Sequence, residues 1–228
     1  MRALAAALCL AAGPVAALQI ESARFEDPTA RYDHGVLGDA LEWGALVIET
    51  DAGPRRISLP QTQVFEDLAP RLWDVTGDGA PEVVVVQTDL SRGARLLVLG
   101  TRGDTVEALA ATPWIGQRHR WLAPVGAGDL DGDGRIEIAL VDRPHLRKTL
   151  QIWRYDGGLS LVAEAPDLTN HRIGEAVIAG GLTCDGRAVV TYSGDWTRVR
   201  LTRLEAGRTV TVDAGPNRPG AIETLTDC

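Results

Sequence analysis

Lysine is nearly missing from this chain: Lys148 is the single copy among 23 basic residues, and there are two phenylalanines and one methionine. No run of basic residues occurs, and the formal charge is −8. A polyanion such as nucleic acid needs a basic patch, so that class of partner is excluded. Beyond the N-terminus no segment is apolar for the roughly 20 residues that a membrane-spanning helix requires. No segment there keeps a 3.6-residue apolar period, which argues against a helical fold. The sequence also lacks a G-x-S-x-G elbow, a phosphate loop, a dinucleotide fingerprint and an H-E-x-x-H helix.

What is present starts with the leader. MRALAAALCLAAGPVAALQ has a positive Arg2, an apolar stretch from Ala3 to Ala12, a break at Pro14 and a small-residue site at Val15-Ala16-Ala17. This pattern predicts a cleaved signal peptide over residues 1–17, with a buried first helix as the alternative. Cleavage removes Arg2 and no acid, taking the charge from −8 to −9. Export would place the mature chain in a periplasm or outside the cell. Cys9 leaves with the leader, so Cys184 and Cys228 remain as an even pair in an oxidising compartment. They are expected to form a disulfide that pins the last residue to the body of the domain; two free thiols are the alternative.

The rest of the chain repeats itself. LWDVTGDGAPEVVVVQTD (72–89) aligns with AGDLDGDGRIEIALVDR (127–143), so that Asp74 matches Asp129, Asp78 matches Asp133 and Glu82 matches Glu137. A third copy, GGLTCDGRAVVTYSGD (180–195), places Asp185 against Asp133. A fainter one, HGVLGDALEWGALVIETD (34–51), has Trp43 to Thr50 in place of the apolar strand. After each loop come three short β-type runs bounded by Gly, Asp or Pro, for example IEIALVD, LQIWRYD and LSLVAEA. VVVV and IALV are continuous apolar runs, as expected of strands buried on both faces. Each unit of some 50 residues therefore reads as about four antiparallel strands, with units at roughly 18–65, 66–114, 115–167 and 168–228. Radial packing of such sheets predicts an all-β fold, a small β-propeller forming one domain over residues 18–228. It would have four blades, or five with one poorly marked. A β-sandwich is the competitor, but it does not explain the recurring loop.

The acidic loop carries the chemistry. Asp129-x-Asp131-x-Asp133-Gly134 sets oxygens at alternate positions that can curl around one hard cation, and Gly134 permits the turn that follows. Arg135 would add its backbone carbonyl and point its side chain away, and Glu137 would close the shell. The set is all oxygen, which suits calcium and not zinc. An EF-hand is excluded because position 12 is Leu140 and a strand follows. The second unit offers a weaker version: Asp74, Thr76, Asp78, the Ala80 carbonyl and Glu82. The fourth unit has Gly181, Thr183, Asp185 and Val189 at these positions, and no metal is expected there. The competing reading of either acidic cluster is an Asp/Gly turn that binds nothing.

These two loops and their following strands resemble FG-GAP repeats, the VCBS-type repeats of the integrin α-chain propeller. The resemblance implies calcium at both loops, one site expected and a second weaker. It also implies, as in bacterial members of that type, an exported binding or scaffold module whose partner is a protein or a glycan. Nothing pairs two carboxylates outside the loops, so no catalytic residue is assigned; a hydrolase or lyase acting on polysaccharide, with its acids in the central funnel, is the alternative. His34, His119, His145 and His171 stand apart in sequence and read as ordinary loop histidines, although His119 and His171 lie in segments that a propeller can bring near its axis. Trp43, Trp73, Trp121, Trp153 and Trp196 read as packing between blades.

Overall fold

A computed structural model describes residues 18–38 and 40–228. The signal peptide expected over residues 1–17 lies outside the described residues. The all-β expectation holds: the described residues form seventeen strands and one four-residue helix. None of their helices is long and apolar enough to cross a membrane.

The first sheet contains β1 (Ile20–Thr29), β2 (Glu42–Thr50), β3 (Arg55–Ser58), β4 (Gln63–Phe65), β5 (Arg71–Trp73), β6 (Glu82–Asp89), β7 (Gly93–Arg102) and β8 (Thr105–Ala111). The second is an antiparallel meander of β9 (Leu122–Gly128), β10 (Glu137–Asp142), β11 (Thr149–Tyr155) and β12 (Leu159–Pro166). The third contains β13 (Leu168–Thr169), β14 (Gly181–Leu182), β15 (Val189–Ser193), β16 (Arg198–Glu205) and β17 (Arg208–Pro216). A short helix, α1 (Glu223–Thr226), ends the chain.

Three stretches share one plan. β5-β6-β7-β8, β9-β10-β11-β12 and β14-β15-β16-β17 are each antiparallel meanders, and each acidic or formerly acidic loop joins the first two strands. These are the second, third and fourth sequence units. The first unit departs from the plan. Its β4 pairs with β6 as well as with β2, so the first two units share one sheet where the sequence suggests separate ones.

The apolar runs do what their continuity requires. All eight residues of β6 and all six of β10 are buried. Alternate side chains feed different layers, because successive Cβ atoms leave opposite faces of a strand. Val83 and Val85 pack with Leu46, Ile48 and Phe65 of the first unit, whereas Val84 and Val86 face Ile138 and Leu140 of the third. On the far side of β10, Ala139 and Val141 meet Leu168, Val189 and Leu204. Consecutive units thus stack face to face. The outer face of the last sheet, at Val190 and Val199, is covered by Ile222 beside the terminal helix. The expected disulfide is formed: Cys184 and Cys228 are bonded with their Cα atoms 5.6 Å apart, closing the tail onto the loop before β15.

Candidate metal-binding loops

The loop between β9 and β10 is shaped by its first and last acids. Asp129 accepts the backbone N–H of Gly132 at 2.7 Å with Oδ1 and that of Gly134 at 3.2 Å with Oδ2. Both glycines have φ near +84° (83 and 85), a region that costs a residue with a Cβ about 1–2 kcal/mol. Glu137 is fully buried, and its Oε2 accepts the N–H of Leu130 at 2.9 Å. The loop between β5 and β6 repeats this arrangement. Asp74 accepts from Gly77, Asp78 and Gly79, and Glu82 accepts from Val75 and Thr76. In the third loop only the central turn survives: Asp185 accepts from Arg187, as Asp133 does from Arg135 and Asp78 from Ala80.

Among the described residues, one trio of carboxylates gathers tightly enough to share a cation. Asp129, Asp131 and Glu137 each offer an oxygen within 4.8 Å of the others. Asp133 lies outside this trio, 3.4 Å from Arg154, and is held by Arg135 at 2.5 Å. That bond is the leading reason its pKa falls to about 2. The Arg135 side chain therefore turns onto the loop, not away from it, because the acids draw the nearest guanidinium. Asp74, Asp78 and Glu82 do not gather to the same degree. Burial raises the pKa of Glu82, as it does that of Glu137.

Two basic residues at the third-unit loop escaped sequence reading. Arg154 of β11 lies across from Glu137 in register. Its Nε donates to Glu137 at 2.5 Å and its Nη2 to Asp131 at 2.5 Å, with 14% of its side chain exposed. Arg187, from the neighbouring sheet, donates to the Asp129 carbonyl at 3.0 Å. Neither adjoins the acids in sequence; only the strand register and the stacking of sheets bring them there. The matching place beside Glu82 belongs to Gly100, where a Cβ would come 3.1 Å from the Glu82 Cγ. The second-unit loop thus has no such counter-cation at that position.

The oxygen-only donor set of Asp129, Asp131 and Glu137 fits a hard divalent cation. The family model of the FG-GAP-like repeat matches residues 74–140. No curated protein matches the chain significantly. The matched segment begins at the first carboxylate of one loop and ends in the strand that follows the next, so residues 74–140 of this chain are an FG-GAP-like repeat region.

Proposed function

We propose that the chain is an exported, calcium-binding propeller module that serves as a non-enzymatic binding or scaffold unit for a protein or glycan. In this reading residues 1–17 are its signal peptide and residues 18–228 one domain. Four-stranded meanders stacked face to face around repeated loops support the propeller, with about four blades. The Cys184–Cys228 disulfide supports a compartment outside the cytoplasm. Calcium would be held by Asp129, Asp131, Asp133, the Arg135 carbonyl and Glu137, and more weakly by Asp74, Thr76, Asp78, the Ala80 carbonyl and Glu82. The metal would tie the loop to the start of β10 and stiffen that edge of the stack.

The observation that carries this reading is the convergence of Asp129, Asp131 and Glu137 inside a region matched by an FG-GAP-like repeat. A binding role is favoured over glycoside hydrolysis because hydrolysis needs two carboxylates flanking a substrate. Two cavities, one lined by His34, His119 and His145 and one by Thr112, Trp114 and Asp142, each lack a pair of carboxylates in their lining. A thermal melt in millimolar calcium and then in excess chelator tests the reading. A cation that binds only the folded state adds about 2.7 kcal/mol at a hundredfold excess over its Kd. The rise in Tm is expected to shrink in Asp131→Ala to what the weaker Asp74 loop supplies; an unchanged Tm in the parent protein refutes calcium binding.

A further inference from the structure

All four histidines of the chain meet in one place. The rings of His34 and His119 stack with centroids 5.1 Å apart, those of His145 and His171 are also 5.1 Å apart, and Trp121 lies 5.0 Å from His171. They sit in connections at the opposite ends of the strands from the acidic loops. His145, for example, follows β10, whereas the third-unit loop precedes it. Between them opens a cavity of about 240 Å³, walled by His34, His119, His145, Arg120, Arg143 and Trp121. Leu146 and Ile173, which are 63% and 71% exposed, form its apolar rim.

Each histidine is anchored from behind. His34 Nδ1 bonds the fully buried Glu66 at 2.5 Å, and Glu66 also accepts the Thr88 hydroxyl at 2.6 Å. His34 Nε2 then has no hydrogen-bond partner among the described residues. His119 Nε2 bonds Asp33 at 2.8 Å, and its backbone N–H donates to the Tyr32 hydroxyl. His171 Nε2 must donate to the Glu175 carbonyl at 2.8 Å, so its Nδ1 accepts from His145 Nε2 at 2.9 Å. A buried carboxylate and a chain of three hydrogen-bonding groups hold these rings in fixed orientations around an open volume. Histidines that merely fill a core need no such space beside them.

The charge at the wall is opposite to that of the chain. Overall there are 31 acids against 23 arginines and lysine, yet no carboxylate lines the cavity. Arg143 is neutralised by Asp142 at 2.8 Å. Arg120 has no carboxylate partner among the described residues and spends Nη1 on the His119 carbonyl at 2.7 Å. An unneutralised guanidinium beside an aromatic wall and an apolar rim selects an anion with an apolar body. Drug-sized ligands fill roughly 300–1,000 Å³, so this volume suits something smaller. We propose that the cavity binds a small organic acid, a single ring or short apolar body with one carboxylate. Arg120 pairs with the carboxylate, His34 Nε2 orients it, and Trp121, Leu146 and Ile173 cover the body.

The test uses the purified protein labelled with ¹⁵N-histidine, so that the four imidazoles report separately. Benzoate is expected to shift the His34, His119 and His145 signals saturably, and neutral benzamide is expected to leave them in place. Arg120→Gln should weaken benzoate by at least about tenfold. Ile173→Glu, at an exposed rim position that folding tolerates, should weaken it as well by repulsion. Absence of imidazole shifts at high millimolar benzoate overturns the proposal, as does equal binding of benzamide or full affinity in both variants. Inorganic phosphate binding as tightly as benzoate would overturn the apolar half of it.

Discussion

Arg154 stands across the β10–β11 ladder from Glu137 and donates to it at 2.5 Å, while the same guanidinium reaches Asp131. The residue acts as a counter-cation built into the third-unit loop. Glu137 is fully buried, and an acid left there without its partner costs about 3–5 kcal/mol. Arg154→Met is therefore expected to destabilise the protein strongly in chelator. In calcium the loss should be much smaller, since the cation then neutralises the same oxygens. Paired melts with and without calcium measure the difference. An equal loss in both conditions means that calcium does not reach Glu137.

Gly93 opens β7 with φ +75°, and a Cβ there would lie 2.3 Å from the Gln117 carbonyl oxygen and 2.9 Å from that of Arg120. Both obstacles are backbone and belong to the segment that presents His119 and Arg120. Gly93→Ala must displace that segment besides adopting a left-handed backbone. Gly79 has φ +87° and nothing within 4 Å, so Gly79→Ala pays the backbone strain alone, about 1–2 kcal/mol. Chemical denaturation should show Gly93→Ala to be clearly the worse of the two. Comparable losses would mean that the close contact relaxes freely.

The strands were legible because burial on both faces leaves a strong mark. EVVVVQTD is strand β6 residue for residue, and IALV lies wholly within β10. The hairpin turns at Gly103 and Gly157 are marked in the sequence by glycine, which accepts the positive φ that both adopt. Local sequence does not encode which strand lies beside which. The merging of the first two units through β4 depends on a three-residue strand with no periodicity to read. Arg154 and Arg187 reach the acids through register and stacking, across 17 residues to Glu137 and 58 to Asp129. The histidines converge from segments up to 137 positions apart, counting from His34 to His171, and are therefore scattered in the linear chain.

The Cys184–Cys228 bond closes a separation of 44 residues. It holds the terminal segment in which Ile222 packs on Val190 and Val199 and Thr226 covers Gly181. Cys228→Ser is expected to cost about 2–4 kcal/mol, since a bridge of this span restricts the unfolded chain. It should also raise hydrogen exchange across residues 218–228 before that of β15. A variant as stable as the parent, with unchanged exchange at the tail, would show that packing alone fixes the terminus.

Acid should weaken the fold through the histidine cluster before it reaches the paired aspartates. Burial, and next the neighbouring His171, lower the pKa of His145 to about 4; burial lowers that of His171 too. An unfolded histidine titrates near 6.5. Between about pH 6.5 and 4 the unfolded chain therefore takes up protons that the folded chain refuses, and stability falls as pH falls. The slope is at most about 1.4 kcal/mol per pH unit for each proton of difference. Glu66 works in the opposite sense. Burial raises its pKa, so its folded-state proton favours folding as the pH drops toward the ordinary carboxylate range. The salt-bridged Asp33, held at about 2 chiefly by its bond to Arg118, matters only at lower pH. His145→Gln keeps an amide donor for His171 but has no proton to gain. Denaturation curves across this window should show a flatter pH dependence in that variant than in the parent. Parallel curves would mean that the folded chain protonates His145 as readily as the unfolded chain does.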